Sequence, residues 1–145
     1  MKQLLVKDWM TKDVVTVSPD TPMLDAHQVM REKKIRRVPV VQNGKVVGIV
    51  TRSDVREAEP SDATTLNVWE INYLLAKLRV KDIMTSEVIT VSPQDTIKTA
   101  ATLLYENKIG ALPVVENDNK LAGIITESDI FRILIAWFNE EVGDQ

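Results

Sequence analysis

The chain has 145 residues, 44% of them hydrophobic, a net charge of −3, no cysteine and one histidine. This length and hydrophobic content suit one compact domain, or two small halves that share a core. The lack of cysteine excludes disulfides, thiol catalysis and cysteine-based zinc sites, and the net charge gives no overall positive field for nucleic acid or anionic lipid. No stretch approaches the roughly 20 apolar residues of a membrane span, and the N-terminus lacks a signal-peptide pattern. We therefore expect a cytoplasmic protein that binds neither nucleic acid nor membrane.

The first part of the chain, 6–57, predicts a β-α-β-β-α unit. Its β-rich opening run is stopped by Ser18-Pro19, because proline fixes φ and biases the preceding residue away from helix. Asn43-Gly44 is a strong hairpin signal, and Ser53-Asp54 is typical of a helix start. The predicted elements are a strand at 14–17, a helix at 22–34, strands at 38–42 and 46–51, and a short second helix.

Residues 58–79 separate this unit from the next. The stretch 58–65 is rich in Pro, Ser, Asp and Thr, which is typical of a linker. Residues 66–78 (LNVWEINYLLAKL) predict a helix with a wide apolar stripe. That stripe packs across the repeats, onto a second subunit or within its own half, and the sequence leaves these alternatives open.

The rest of the chain, 80–140, repeats the first part. VVTVSP at 14–19 returns as VITVSP at 88–93, and GIVTRSD at 48–54 returns as GIITESD at 123–129. Such self-similarity indicates repeated units that bury their apolar faces against one another. The predicted elements are a strand at 88–91, a helix at 96–108, strands at 112–116 and 121–126, and a terminal helix through FRILIAWFNE.

Each copy carries an MT opening, a V-x-T-V-x-P run, a central P-V-V strand and a closing G-h-h-T-x-S-D, where h is hydrophobic. These motifs, in the same order in both copies, resemble the CBS domain, named for cystathionine β-synthase, in tandem as a CBS pair. The resemblance implies an α/β (α+β) fold in which two pseudo-symmetric β-α-β-β-α repeats pack sheet to sheet. It also implies two clefts that take adenosine-containing ligands such as AMP, ADP, ATP or S-adenosylmethionine, each cleft using both repeats.

The resemblance implies which residues line the clefts. The opening of one copy would receive adenine, and the T-x-S-D of the other copy would hold ribose and phosphate. The first cleft would combine Thr11, Val15, Thr16, Ile35, Arg36 and Arg37 with Thr126, Ser128 and Asp129. The second would combine Thr85, Ile89, Thr90, Ile109, Gly110 and Ala111 with Thr51, Ser53 and Asp54.

The two aspartates allow two interpretations. A carboxylate can accept hydrogen bonds from both vicinal hydroxyls of a ribose, which is the role implied for Asp54 and Asp129. A side-chain oxygen at a helix start also caps free N–H groups, so each aspartate can serve the fold alone. Both interpretations can hold together. The threonines Thr16, Thr51, Thr90 and Thr126 are equally consistent with ordinary strand positions.

The copies differ most at Arg36-Arg37, which correspond to Gly110-Ala111. A guanidinium group binds phosphate bidentately, whereas glycine and alanine cannot, so the cleft with Arg37 should prefer multiply phosphorylated ligands. The alternative is a solvated basic corner. Glu127 in one T-x-S-D and Arg52 in the other would cancel or reverse the asymmetry if they point inward.

The leading hypothesis is a stand-alone regulatory module that binds an adenosine-type ligand and signals by changing shape or association. Its output would pass to an effector protein or to oligomer packing. We expect a homodimer, because the terminal helix is almost continuously apolar and family members often form flat dimers. The alternative is a ligand-independent dimerisation or scaffold module. We expect no enzymatic activity, no required cofactor and no metal site, since no catalytic triad, metal cluster or glycine-rich phosphate loop is recognisable.

Overall fold

The structure, a computed structural model, describes residues 4–61 and 64–142. The chain forms two compact units. The first-repeat unit is the continuous stretch Val15–Val88. The second-repeat unit combines the residues up to Val14 with those from Ile89 onwards. The opening of each repeat therefore belongs to the unit that contains the body of the other repeat. The repeat boundaries themselves stay a prediction.

The described residues of the first-repeat unit form a two-stranded antiparallel sheet and four helices. Asn43 and Gly44 have positive φ angles of 55° and 79°, as a tight two-residue hairpin turn requires, so the predicted hairpin is confirmed. The elements are α1 (Met23–Lys33), β1 (Arg37–Gln42), β2 (Lys45–Thr51), α2 (Arg52–Ala58), α3 (Val68–Lys77) and α4 (Val80–Ile83).

The core of this unit follows from the two periodicities in the sequence. Alternate residues of β2 are buried, as expected for a sheet with one face on a core. Met23, Ala26 and Met30 recur on one face of α1 and are buried with the strand valines. The strand valines of this core are Val38, Val40 and Val50.

The second-repeat unit repeats this arrangement with a second antiparallel hairpin. Thr96 begins the first helix, where its Oγ1 accepts the Thr99 N–H at 3.1 Å. Lys108 ends the helix in the left-handed conformation (φ 54°). The elements are α5 (Ile97–Asn107), β3 (Ala111–Val115), β4 (Leu121–Thr126) and α6 (Glu127–Val142). The predicted mixed α/β class, with two small sheets and flanking helices, is confirmed.

The strands predicted at 14–17 and 88–91 shrink to single parallel bridges, Val17 to Val40 and Val91 to Val114. Val17 donates to the Pro39 carbonyl at 3.1 Å and accepts from the Val41 N–H at 2.8 Å. The next bond of the ladder would need an N–H on Pro39, which proline lacks. Pro113 occupies the same position beside Val91, so both ladders stop after one residue.

Each repeat opens with a short helical turn that the sequence patterns did not predict. Val6–Asp8 form a 3-10 turn, and α4 is its counterpart at the start of the second repeat. Asp82 caps α4, because its Oδ2 accepts the Arg79 N–H at 2.8 Å. The recurring Lys-Asp pair was the available signal for these turns.

Helix α3 packs within its own unit. Leu75 on its inner face and Leu78, the residue that follows the helix, pack against the first-repeat core. Its outer face is exposed and includes Trp69 and Tyr73, with the Lys77 Nζ 4.1 Å from the Tyr73 ring centroid. Within the described ranges, no helix is both long and apolar enough to cross a membrane.

Candidate functional site

The closing motif of the first repeat builds a capped helix start at the end of β2. Asp54 Oδ2 accepts the Thr51 N–H at 2.9 Å, and the Asp54 N–H donates to Thr51 Oγ1 at 3.0 Å. The reciprocal pair is a capping box, so the capping interpretation of Asp54 is confirmed. Asp54 Oδ1 accepts no hydrogen bond from the part of the chain that is described. The side chain is half-buried and keeps an open acceptor.

The opening of the second repeat lies against this motif. Thr85 and Ile49 exchange two backbone hydrogen bonds, at 2.9 and 3.0 Å, two residues before Thr51. Gly48 allows this approach, because a Cβ there would lie 2.6 Å from Met84 Sδ. The predicted grouping of Thr85 with the T-x-S-D of the first repeat therefore falls within one unit.

Three arginines share this end of the hairpin. The Arg52 N–H donates to the Arg36 carbonyl at 2.9 Å, and Arg37 stands opposite Thr51 in the strand register. Arg36 and Arg52 are exposed, and Arg37 is half-buried. The arginines and Asp54 thus form a polar corner, here called the arginine corner, in which the cations can reach an anion in solvent.

The closing motif of the second repeat has the same backbone design. Asp129 Oδ2 accepts the Thr126 N–H at 2.9 Å and the Thr126 hydroxyl at 3.2 Å. The Asp129 N–H donates to Thr126 Oγ1 at 3.3 Å. Thr11 exchanges two backbone hydrogen bonds of 2.9 Å with Ile124, so this unit also joins an opening to a closing motif.

The surroundings of Asp129 nevertheless differ from those of Asp54. Asp129 is only 7% exposed, and its Oδ1 accepts a hydrogen bond from Arg132 Nη2 at 3.0 Å. The same Nη2 donates to the Trp9 carbonyl at 3.1 Å, and the guanidinium carbon lies 5.4 Å from the Trp9 ring centroid. Arg132 therefore occupies Asp129 Oδ1, whereas the corresponding oxygen of Asp54 accepts no hydrogen bond from the described residues.

In the second repeat, none of the three arginines of the arginine corner has a cationic counterpart. Glu127 takes the place of Arg52, and its N–H donates to the Gly110 carbonyl at 3.0 Å. Ala111 stands opposite Thr126, where Arg37 stands opposite Thr51 in the first repeat. The predicted asymmetry between the copies is therefore a contrast between three arginines and a Gly-Ala-Glu set.

The predicted site residues divide evenly between the units. Each predicted cleft draws on both units, and these two groupings stay predictions. Arg132 and Trp9 were missed, although an arginine one helical turn after Asp129 was the available signal. The first-repeat unit holds Val15, Thr16, Ile35, Arg36, Arg37, Thr51, Ser53, Asp54 and Thr85; the second-repeat unit holds Thr11, Ile89, Thr90, Ile109, Gly110, Ala111, Thr126, Ser128 and Asp129.

An apolar groove of about 730 Å³ lies between α5 and α6, and its lining includes the predicted site residue Ile109 and Glu127 of the second closing motif. Its apolar lining includes Leu104, Ile130 and Phe131, and Tyr105 at its edge is 86% exposed. The exposed face of α6 continues the apolar surface beyond the groove through Leu134, Ile135 and Phe138. In the described part of the chain, no three His, Asp or Glu side chains group as a metal site would require.

The sequence profile of the CBS domain matches this chain twice, over residues 6–61 and 80–136. The chain therefore belongs to the CBS domain family, and its two matches make it a tandem CBS pair.

Two similar solved structures contain adenosine compounds. The CBS domain pair of protein MJ0100, in complex with 5′-methylthioadenosine and S-adenosyl-L-methionine, is 27% identical, with a TM-score of 0.77 over 94% of this chain and 99% of that one. CBSX2 of Arabidopsis thaliana, in complex with AMP, is 31% identical, with a TM-score of 0.77 over 92% of this chain and 98% of that one.

Enzymes also occur among the relatives. An inosine-5′-monophosphate dehydrogenase of Korarchaeum cryptofilum is 38% identical over 125 residues, which cover 86% of this chain and 23% of the enzyme. The chain spans less than half the length of several curated relatives that it matches. The likeness to the dehydrogenase therefore concerns a minor part of that enzyme.

Proposed function

We propose that this CBS pair is a non-enzymatic regulatory module that binds an adenosine-containing ligand, namely AMP, ADP, ATP or S-adenosylmethionine. Binding would change its conformation or its oligomeric state, and this change would alter its interaction with an effector protein. The observation that carries the proposal is Asp54, whose Oδ1 is open beside the three arginines of the arginine corner. That oxygen can accept both vicinal ribose hydroxyls, while a neighbouring guanidinium group can pair with phosphate. The adenosine compounds bound to the MJ0100 pair and to CBSX2 support the same ligand class.

Calorimetric titration with AMP, ADP, ATP, NAD and S-adenosylmethionine tests this function. We expect saturable binding of at least one compound. Asp54→Asn should lower its affinity by about tenfold or more, since one hydrogen bond from a hydroxyl to a carboxylate contributes about 1.5–3 kcal/mol. Asp95→Asn is the matched control, because Asp95 Oδ2 also accepts a backbone N–H, from Ser92 at 2.7 Å, outside the proposed site. Equal losses in both variants would show that Asp54 only supports the fold.

We expect Arg37 to bind the phosphate groups of the ligand. Arg37→Ala should weaken ATP by about tenfold and leave adenosine within about twofold, because a charged hydrogen bond is lost only with the nucleotide. Lys45→Ala, which removes an exposed cation at the other end of β2, should change neither affinity. Equal losses for ATP and adenosine would contradict phosphate reading.

The same variant separates the two possible groupings of Arg37. We group it with Asp54 because both lie at the same end of one hairpin. The effect of Arg37→Ala on ATP should then persist in an Asp129→Ala background. Its disappearance there would favour the cleft in which Arg37 serves Asp129.

The apolar groove between α5 and α6 supports the alternative function, a homodimeric scaffold that needs no ligand. Exposed aromatic and aliphatic side chains that form one surface favour burial against another chain. If no compound in the titration binds detectably and the protein forms a stable dimer, the results would support this alternative.

A further inference from the structure

The carboxylates of the two closing motifs differ in the acceptor capacity that they leave for a ligand. An ionised carboxylate offers about four lone-pair positions. Asp54 accepts the Thr51 N–H on Oδ2 alone, so Oδ1 is available in full. Asp129 accepts two hydrogen bonds from Thr126 on Oδ2 and one from Arg132 on Oδ1. A ribose that presents two hydroxyls can be accepted fully at Asp54, whereas at Asp129 it must compete with Arg132.

The contact made by Arg132 is specific to the second repeat. Arg132 corresponds to Glu57, and Trp9 corresponds to Ile83, when the repeats are aligned. Glutamate would repel Asp54 rather than pair with it, so the first repeat cannot build the same contact. Arg132 is largely exposed, with a side-chain accessibility of 59%. The cation can therefore leave Asp129 for solvent without moving the core.

Arg132 also connects Asp129 to the chain that leads into Thr11. One guanidinium nitrogen bridges Asp129 Oδ1 and the Trp9 carbonyl, and the group lies beside the indole ring. Trp9 follows the Val6–Asp8 turn and comes two residues before Thr11, which is paired with β4. Loss of the Arg132 contact would thus free both the carboxylate and the backbone of this opening segment.

We propose that Arg132 is a latch that withholds Asp129 from adenosine ligands, so that Asp54 binds first and Asp129 binds only when Arg132 swings away. This inference rests on the proposed function and adds to it an order of filling. Occupation of Asp129 would release the Trp9 carbonyl, which couples the second binding event to the opening segment of the first repeat.

The test isolates the Asp129 site in an Asp54→Ala background. Titration of that variant with AMP should show weak binding, and adding Arg132→Ala should tighten it by about tenfold, the effect of removing one competing charged hydrogen bond. Adding Asp129→Ala to the double variant should abolish the gain. Glu57→Ala, at the matched position of the first repeat, should produce no gain at the Asp129 site.

Two results would overturn the latch. Weaker AMP binding after Arg132→Ala would make the arginine a ligand contact, and unchanged binding would show that it does not compete. Arg132→Gln, which keeps a hydrogen-bonding side chain but removes the charge, should give a smaller gain in the same direction if the alanine variant folds poorly. Silence of the unmodified protein toward the whole ligand panel would refute the proposed function instead, so the two failures are distinguishable.

Discussion

Gly123→Ala is expected to lower the free energy of unfolding by about 3 kcal/mol, the upper range for forcing atoms into a packed site. A Cβ at Gly123 would lie 2.7 Å from the Thr11 carbonyl oxygen and 2.8 Å from Met10 Sδ. That carbonyl accepts the Ile124 N–H, so the backbone pair joining the first opening to β4 would have to separate. Urea unfolding followed by circular dichroism measures the loss.

Gly48→Ala is the matched variant in the other repeat. Its closest contact would be Met84 Sδ at 2.6 Å, the flexible end of a side chain, while the Thr85 carbonyl is farther away at 3.0 Å. We expect a smaller loss, of about 1–2 kcal/mol, and partial rescue by Met84→Ala. Met10→Ala should not rescue Gly123→Ala, because the limiting contact there is backbone. A Gly123→Ala variant as stable as the unmodified protein would contradict the observed pairing of openings with closing motifs.

Phe131→Glu combined with Ile135→Glu is expected to dissociate the homodimer that we propose for the exposed face of α6. Both residues lie on the exposed apolar face of α6, at 62% and 61% exposure, and Phe131 lines the groove against α5. Buried aromatic anchors at interfaces commonly contribute 2 kcal/mol or more, so two buried charges should weaken dimerisation by about 1,000-fold. Light scattering coupled to size exclusion, over a range of protein concentrations, measures the change.

The first repeat supplies the control for this surface. Phe131, Leu134 and Ile135 correspond to Arg56, Glu59 and Pro60, so the apolar face belongs to the second repeat. Arg56→Glu should leave the dimer intact. A monomeric unmodified protein, or equal dissociation by Arg56→Glu, would contradict a dimer built on α6.

The sequence predicted the elements of this fold well where a single periodicity or turn signal decided the outcome. Asn43-Gly44 specified a hairpin, and the apolar spacing around Met23 and Met30 specified α1. The strand at 14–17 failed because a residue on its neighbour, Pro39, controls how far the pairing extends. The length of a strand pairing depends on both segments, whereas the pattern at 14–17 describes only one of them.

The site was predictable in part for the same reason. Local hydrogen bonds explain why Asp54 and Asp129 both cap helices, as their positions in T-x-S-D indicated. The difference between them arises from Arg132 and the distant Trp9, which meet only after the first opening has joined the second-repeat unit. The shared T-x-S-D pattern therefore did not predict that Asp54 and Asp129 accept different sets of hydrogen bonds.

A crystal structure of the protein, grown with enough AMP to fill one site only, would show which aspartate binds the ribose first. We expect one AMP whose ribose hydroxyls donate to Asp54 Oδ1, while Asp129 keeps its contact with Arg132. AMP bound with its ribose away from Asp54, or at Asp129 with Asp54 empty, would contradict it.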